Sequence, residues 1–148
     1  YKARFLAKVA ATEHLTNGDF EDGSNEDADF WTLGDTWAWT GHEIAATHAT
    51  SSDCAVQTDD DQAVALEVGK RYQVTYNLSA CTHGGLRGCL GTAVGTTRTA
   101  PGIYTEEIEC AGTTDFTLQP VGDYFEGAVD DVAAIEVGSG TVLGRITG

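Results

Sequence analysis

The chain has 148 residues, with 8 Lys and Arg against 23 Asp and Glu and a formal charge of −15. This length fits one compact domain, and the negative charge disfavours nucleic acids and anionic lipid surfaces as partners. No apolar run approaches the ~20 residues of a membrane-spanning helix, so we expect no membrane insertion. Met is absent and position 1 is Tyr, which leads us to expect that a leader was removed or that the chain is a fragment.

Residues 1–15 form a predicted N-terminal arm, in which residues 1–11 alternate between apolar and basic positions. Alternation favours a β-strand, although one or two helical turns are the alternative. Residues 1–8 carry +3, whereas residues 9–148 hold 5 basic and 23 acidic groups, or −18. The apolar face of this arm comprises Tyr1, Ala3, Phe5 and Val9, and its basic face comprises Lys2, Arg4 and Lys8.

The central part of the sequence predicts an all-β domain over residues 16–137. Residues 71–80 alternate apolar and polar side chains, as expected of a half-buried antiparallel strand, and Val68–Lys70 before them forms a predicted turn. Short strands separated by Gly, Asp and Thr clusters are typical of a β-sandwich. The other predicted strands are 37–40, 55–58, 63–67, 90–94, 104–110, 116–118 and 128–137.

Four cysteines lack the C-x-x-C spacing of zinc sites or redox pairs. Cys81 and Cys89 flank a Gly-rich segment between two apolar runs, and a hairpin there would bring them within bridging distance. We therefore predict a Cys81–Cys89 disulfide, with Cys54–Cys110 by elimination. Such pairing implies an extracellular compartment, and four buried free thiols in a cytosolic protein are the alternative.

Four segments resemble carbohydrate-binding modules of families 4, 9 and 22 in order and spacing. They are Asn17–Glu21, Trp31, Val68–Val74 and Phe125–Val132. The resemblance spans residues 16–137 and implies a jelly-roll β-sandwich. It further implies a structural Ca²⁺ ion held by Glu21 and Asp130, with Asp131 as a further ligand. Carboxylates suit this oxygen-seeking ion, and the alternative is that they are solvated or bonded to loop amides.

The same resemblance suggests a glycan-binding surface built from aromatic rings. The apolar face of a sugar packs well on an indole or phenol ring. Trp37 and Trp39 are two residues apart and share one strand face, and Tyr124 lies near the closing strand. These three residues are the candidate glycan platform, and the alternative is that the tryptophans belong to the core.

We predict no catalytic activity for this chain. The sequence lacks a G-x-S-x-G elbow, a P-loop, an H-E-x-x-H motif and a G-x-G-x-x-G motif. The histidines at 14, 42, 48 and 83 show no metal-binding spacing and are expected on the surface or in loops. Asn77-Leu78-Ser79 is an N-glycosylation sequon, so Asn77 is a candidate glycosylation site.

Residues 138–148 form a second, apolar arm beyond the last strand of the domain. A basic arm on an acidic domain predicts strand addition to a second copy, in a head-to-tail contact that does not close. The leading hypothesis is therefore an extracellular, non-catalytic filament or coat subunit whose partners are copies of itself. Alternatively, both arms fold back on their own domain or are linkers from a longer protein. The alternative functions are a glycan-binding module appended to a secreted enzyme and a decoration or fibre protein of a virus particle.

Overall fold

The computed structural model describes residues 7–8, 12–137 and 142–143. Within these ranges the protein consists of antiparallel strands without a helix, which confirms the all-β prediction. It therefore has no helix that could span a membrane there. The strands are β1 (Ala7–Lys8), β2 (Gly23–Ser24), β3 (Asp27–Ala28), β4 (Thr32–Leu33), β5 (Trp37–Trp39), β6 (Ile44–Ala49), β7 (Ala55–Gln57), β8 (Arg71–Leu90), β9 (Ala93–Val94), β10 (Gly102–Glu109), β11 (Phe116–Glu136) and β12 (Val142–Leu143).

Two long strands, β8 and β11, organise an eight-stranded sheet in the order β10-β8-β11-β6-β5. They pair with each other along most of their length. β10 pairs with the first half of β8, and β9 pairs with its last two residues. β7 pairs with the start of β11, and β4 pairs with β7.

The sheet folds over itself, because β8 bends and its two halves face each other. A Cβ atom at Gly88 would lie 3.5 Å from Val74 Cγ1 and 3.8 Å from Tyr76 Cε1, although all three residues belong to one strand. The bend falls near Gly84, whose φ is +66°, a conformation that glycine adopts without steric cost. The result is a β-sandwich in which the same two strands run through both layers.

The core lies between these layers and is apolar and aromatic. The alternation predicted for residues 71–80 is confirmed: Tyr72, Val74, Tyr76 and Leu78 are fully buried. Their counterparts from the folded-over part of the sheet are Leu86, Leu90, Phe116, Leu118 and Phe125.

The hairpin predicted between Cys81 and Cys89 is wrong. Both residues lie on β8, which continues through the Gly-rich segment because long-range pairing with β11 satisfies its backbone. All four cysteines are free. The thiols of Cys54 and Cys110 donate instead to nearby carbonyl oxygens, of Ser51 and Thr113 respectively, each at 3.2 Å. The two predicted disulfides are therefore absent from the structure.

The strand predicted over residues 63–67 is also wrong. This segment is irregular, and the buried Gln62 side chain fixes it by accepting a hydrogen bond from Leu66 N (2.8 Å) and donating to Thr114 O (2.9 Å). The turn predicted just after it is confirmed, with Gly69 at φ +92°. The predicted strands 116–118 and 128–137 form parts of the single strand β11.

Described segments from the two arms pair with the sandwich and with each other. Glu13 bridges Ile135 in antiparallel fashion, and His14 N donates to Ala134 O at 3.0 Å. Further out, β1 and β12 pair with each other in the same chain, with Ala7 opposite Leu143. Ala7–Lys8 and Val142–Leu143 thus form a two-stranded sheet within one chain. Tyr1, Ala3, Phe5, Val9, Lys2 and Arg4 of the proposed assembly strand lie outside the described residues.

Candidate functional site

The candidate site lies on a bulge at the corner where the sheet bends. Val121 pairs with Gly85 and Glu126 pairs with His83, so β11 carries three more residues than β8 across this corner. Gly122, with φ +99°, begins the bulge. A bulge of this kind leaves residues unpaired and re-aims their side chains. It presents Asp123 and Tyr124 at the surface, while the next residue, Phe125, enters the core.

Three aromatic rings stack at this corner, and we call His48, Tyr124 and His83 the ring stack. The His83 and Tyr124 rings have centroids 3.8 Å apart and planes 8° apart. The His48 and Tyr124 rings also lie 3.8 Å apart, with planes inclined by 18°. Tyr124 is therefore enclosed on both faces, and the outward faces of the stack belong to the histidines. His48 is solvent-exposed, and the His83 side chain is 41% exposed.

His48 reaches the stack from the end of β6, where its φ is +60°. Left-handed backbone is uncommon for a residue with a side chain. Ala49, the next residue, pairs with Phe125 on β11, and this pairing brings the end of β6 beside the bulge. Pairing across the sheet therefore unites residues that are far apart in sequence.

A carboxylate completes this surface. Asp123 Oδ1 lies 3.2 Å from His83 Nε2. This hydrogen bond to His83 holds the pKa of the exposed Asp123 carboxyl below its ordinary value. The carboxylate is therefore ionised across the neutral pH range and can accept hydrogen bonds from a ligand. The corner thus combines aromatic ring faces with hydrogen-bonding groups.

The two predicted tryptophans lie elsewhere and point inward. Trp37 is 5% exposed, lies 5.9 Å from the Phe125 ring and donates from Nε1 to Asp53 O at 2.8 Å. Trp39 is partly buried against the core and donates to Phe20 O at 2.7 Å. They share a face, as the sequence predicts, and that face is the core face. Of the three predicted platform residues, Tyr124 alone lies in the surface cluster.

The residues predicted to bind Ca²⁺ lie among several carboxylates. Burial raises the pKa of Asp130, and the neighbouring Asp131, Glu43 and Glu21 carboxylates raise it further. Glu21 Oε2 lies 3.1 Å from His42 Nδ1, and Glu43 accepts from Ser79 Oγ at 2.6 Å. Within the described ranges, no three His, Cys, Asp or Glu side chains converge to form a metal site. The Ca²⁺ site stays a prediction.

Asn77 lies in the middle of β8, between its partners Ile103 on β10 and Asp130 on β11. It is partly exposed, and the next residue, Leu78, is fully buried in the core. The side chain of Asn77 therefore leaves the sheet on the side away from the core. Glycosylation of Asn77 stays a prediction.

The sequence did not indicate His48 or His83 as site residues. The two histidines are 35 positions apart and share no motif spacing. Their rings come together only because a bulge places Tyr124 where both can stack on it. The described part of the chain contains no pocket, so a ligand at this corner would lie on an open surface.

No protein-family model matches the chain, and no curated protein matches it. Among solved structures, the chain is similar to one described as "BiXyn10A CBM1 APO" at 14% sequence identity and a TM-score of 0.46. The similarity covers 92% of this chain and 97% of that one.

Proposed function

We propose that the protein is a non-catalytic glycan-binding module and that the ring stack is its binding surface. The observation that carries this proposal is the exposed stack of His48, Tyr124 and His83 on a corner bulge of the sandwich. The resemblance of residues 16–137 to carbohydrate-binding modules supports the same function. A polysaccharide partner would place the protein outside the cell.

The chemistry of the corner suits a sugar ring. Sugars combine an apolar ring face with a rim of hydroxyl groups, and protein sites meet them with aromatic faces and a few fixed polar groups. Here a sugar would lie on the outward face of a histidine ring, while the tyrosine behind it keeps that ring in place. Asp123 would accept hydrogen bonds from sugar hydroxyl groups. An open surface allows a long polysaccharide to lie across it.

Assembly through the terminal arms has less support than glycan binding. The backbone groups of Ala7 and Lys8 pair with Val142 and Leu143 of the same chain. Donation of this strand to a neighbouring copy requires that intrachain pairing to open. Filament, coat and virus-decoration functions therefore rank below glycan binding in our proposal.

Affinity electrophoresis through gels that contain soluble polysaccharides tests the proposal. We expect retardation of the wild-type protein on at least one polysaccharide and its loss in His83→Ala and His48→Ala. Ile103→Ala is the matched control, because Ile103 is 75% exposed on β10, away from the corner bulge. Thermal melting shows that each variant is folded. Retardation that survives both histidine substitutions, or no retardation on a broad glycan panel, would contradict the proposal.

A further inference from the structure

Arg87 lies on β8 beyond the ring stack, and neighbouring side chains hold its guanidinium in place. Arg87 Nε donates to Gln119 Oε1 at 2.8 Å, and Gln119 Nε2 donates to Ser51 O at 3.4 Å. Arg87 is half-buried, while Leu86 before it is fully buried. The side chain therefore leaves the sheet on the side away from the core. Because Gln119 accepts the hydrogen bond from Nε–H, the N–H groups of the two terminal nitrogens are further donors of the guanidinium.

Arg87 differs from the other described cations in its partners. Lys70 lies within 3.5 Å of Glu67 and Glu136, and Arg71 lies 3.8 Å from Glu107 and Glu109. Arg98 lies 3.7 Å from Glu106. Among the side chains that the structure describes, Arg87 has no carboxylate within 4.0 Å. An arginine without a carboxylate is unexpected in a protein with almost three acidic groups per basic one.

We infer that Arg87 binds an oxyanion group of the glycan, and that the carboxylate of a uronic acid residue is the group that best fits it. This inference rests on the proposed glycan-binding function. The planar guanidinium fork matches a carboxylate in a bidentate geometry, and a fork that is already oriented loses less entropy on binding. Gln119 provides that orientation.

The position of Arg87 suits a ligand that also contacts the ring stack. His83 and Arg87 are four residues apart on β8, so the chain between them spans at most about 14 Å. An oligosaccharide can cover this distance, with one sugar on the histidine ring and a uronate farther along the strand. The two contacts would then define the direction of the bound chain.

The overall charge of −15 opposes an anionic ligand, but its effect at this position is limited. Salt screens exposed charges beyond about 8 Å at physiological ionic strength. At this surface Asp123 pairs with His83, Glu126 lies opposite His83 in the sheet, and Asp53 accepts a hydrogen bond from Thr36 N. Acidic groups on other parts of the surface therefore act only weakly on a ligand at Arg87.

Titration calorimetry with a matched pair of ligands tests the inference. The probes are an oligogalacturonate and its methyl ester, in which each carboxylate is replaced by an uncharged methyl ester group. We expect the wild-type protein to bind the oligogalacturonate about tenfold more tightly, because a hydrogen bond to an ionised carboxylate is stronger than one to a neutral ester. Arg87→Gln should remove this preference, whereas His83→Ala should weaken binding of both probes.

Gln119→Glu is a second variant that keeps the arginine. It places a carboxylate beside Arg87 and should also remove the preference, even if Arg87→Gln fails to fold. The preference for dextran sulfate over dextran is compared with the preference for the oligogalacturonate over its methyl ester, and a larger preference for the sulfate ester would overturn the assignment to a uronate. A preference that persists in both variants, or equal wild-type affinity for the two galacturonate probes, would overturn the inference alone. Absence of binding to any glycan would overturn the proposed function as well.

Discussion

The ring of His83 lies face to face with the ring of Tyr124, with centroids 3.8 Å apart and planes 8° apart. Asp123, the residue before the tyrosine, contacts the edge of the same imidazole ring at Nε2. Two neighbouring residues of one bulge thus act on the same imidazole, one through its face and one through its edge. The orientation of His83 depends on both.

Asp123→Asn should destabilise the protein at neutral pH, and the effect should disappear in acid. The pKa of Asp123 is lowered in the folded state, chiefly by the hydrogen bond to His83, from an ordinary value of 3.8. Its contribution to the free energy of unfolding is therefore present above that value and is lost as the pH falls through the lower folded value. Thermal melts of both proteins across an acid pH series measure this. A constant difference at all pH values would contradict the prediction.

Gly84→Ala should destabilise the fold more than a Gly→Ala substitution that introduces backbone strain without a steric clash. Gly84 has φ +66°, and a Cβ there would overlap the carbonyl oxygen of Tyr124. Gly41 is the matched control, since its φ is +106° and a Cβ there meets nothing within 4 Å. We expect a loss of about 1 kcal/mol for Gly41→Ala, from backbone strain alone, and about 3 kcal/mol for Gly84→Ala. Urea denaturation of the three proteins measures the difference, and equal losses would contradict the assigned clash.

The sequence predicts local features of this fold better than it predicts the site. The alternation at Tyr72–Leu78 identifies a strand because every second side chain of this segment packs against the same apolar core. Thr82–Gly88 lacks such alternation, and it is a strand because β11 supplies hydrogen bonds from far along the chain. Periodicity correctly places Trp37 and Trp39 on one face, but it cannot say whether that face meets solvent or core. The ring stack depends on a bulge at Tyr124, and such a bulge has no periodic signal.

The four cysteines should react as free thiols. Burial raises the pKa of each, so little thiolate forms at neutral pH. We expect four maleimide additions in denaturant without reductant, as measured by intact mass. In the native protein, the half-buried Cys54 and Cys81 should react slowly and the buried Cys89 and Cys110 more slowly still. A melting temperature that falls on addition of dithiothreitol would show that disulfides form after all.

Trp37→Ala should lower the free energy of unfolding, because Trp37 supports the core and not the glycan surface. The indole is 5% exposed, lies beside Phe125 and donates to Asp53 O. Truncation of a large buried aromatic side chain costs about 3–5 kcal/mol. Urea denaturation measures this loss. Trp37→Phe keeps most of the volume and should retain glycan binding in the gel assay. Loss of binding by a well-folded Trp37→Phe protein would place the glycan near the tryptophan instead of the ring stack.

Asp130→Asn tests whether Asp130 binds Ca²⁺, because its effect on stability should differ between the metal-free protein and the protein in Ca²⁺. Burial and the carboxylates of Asp131, Glu43 and Glu21 raise the pKa of Asp130, so its ionised form destabilises the folded state. The penalty is complete above the raised pKa, shrinks as the pH falls through it and is absent below the ordinary value of 3.8. The asparagine keeps the oxygen that accepts from Asp131 N at 2.7 Å. In EDTA we therefore expect Asp130→Asn to unfold at a higher urea concentration than wild type at neutral pH, and at the same concentration in strong acid.

If Ca²⁺ binds at Glu21, Asp130 and Asp131, millimolar Ca²⁺ should reverse the order at neutral pH, because the ion stabilises the ionised wild-type carboxylate and not the amide. An unchanged order in Ca²⁺ would show that Asp130 does not bind the ion, and a less stable variant in EDTA would contradict the raised pKa.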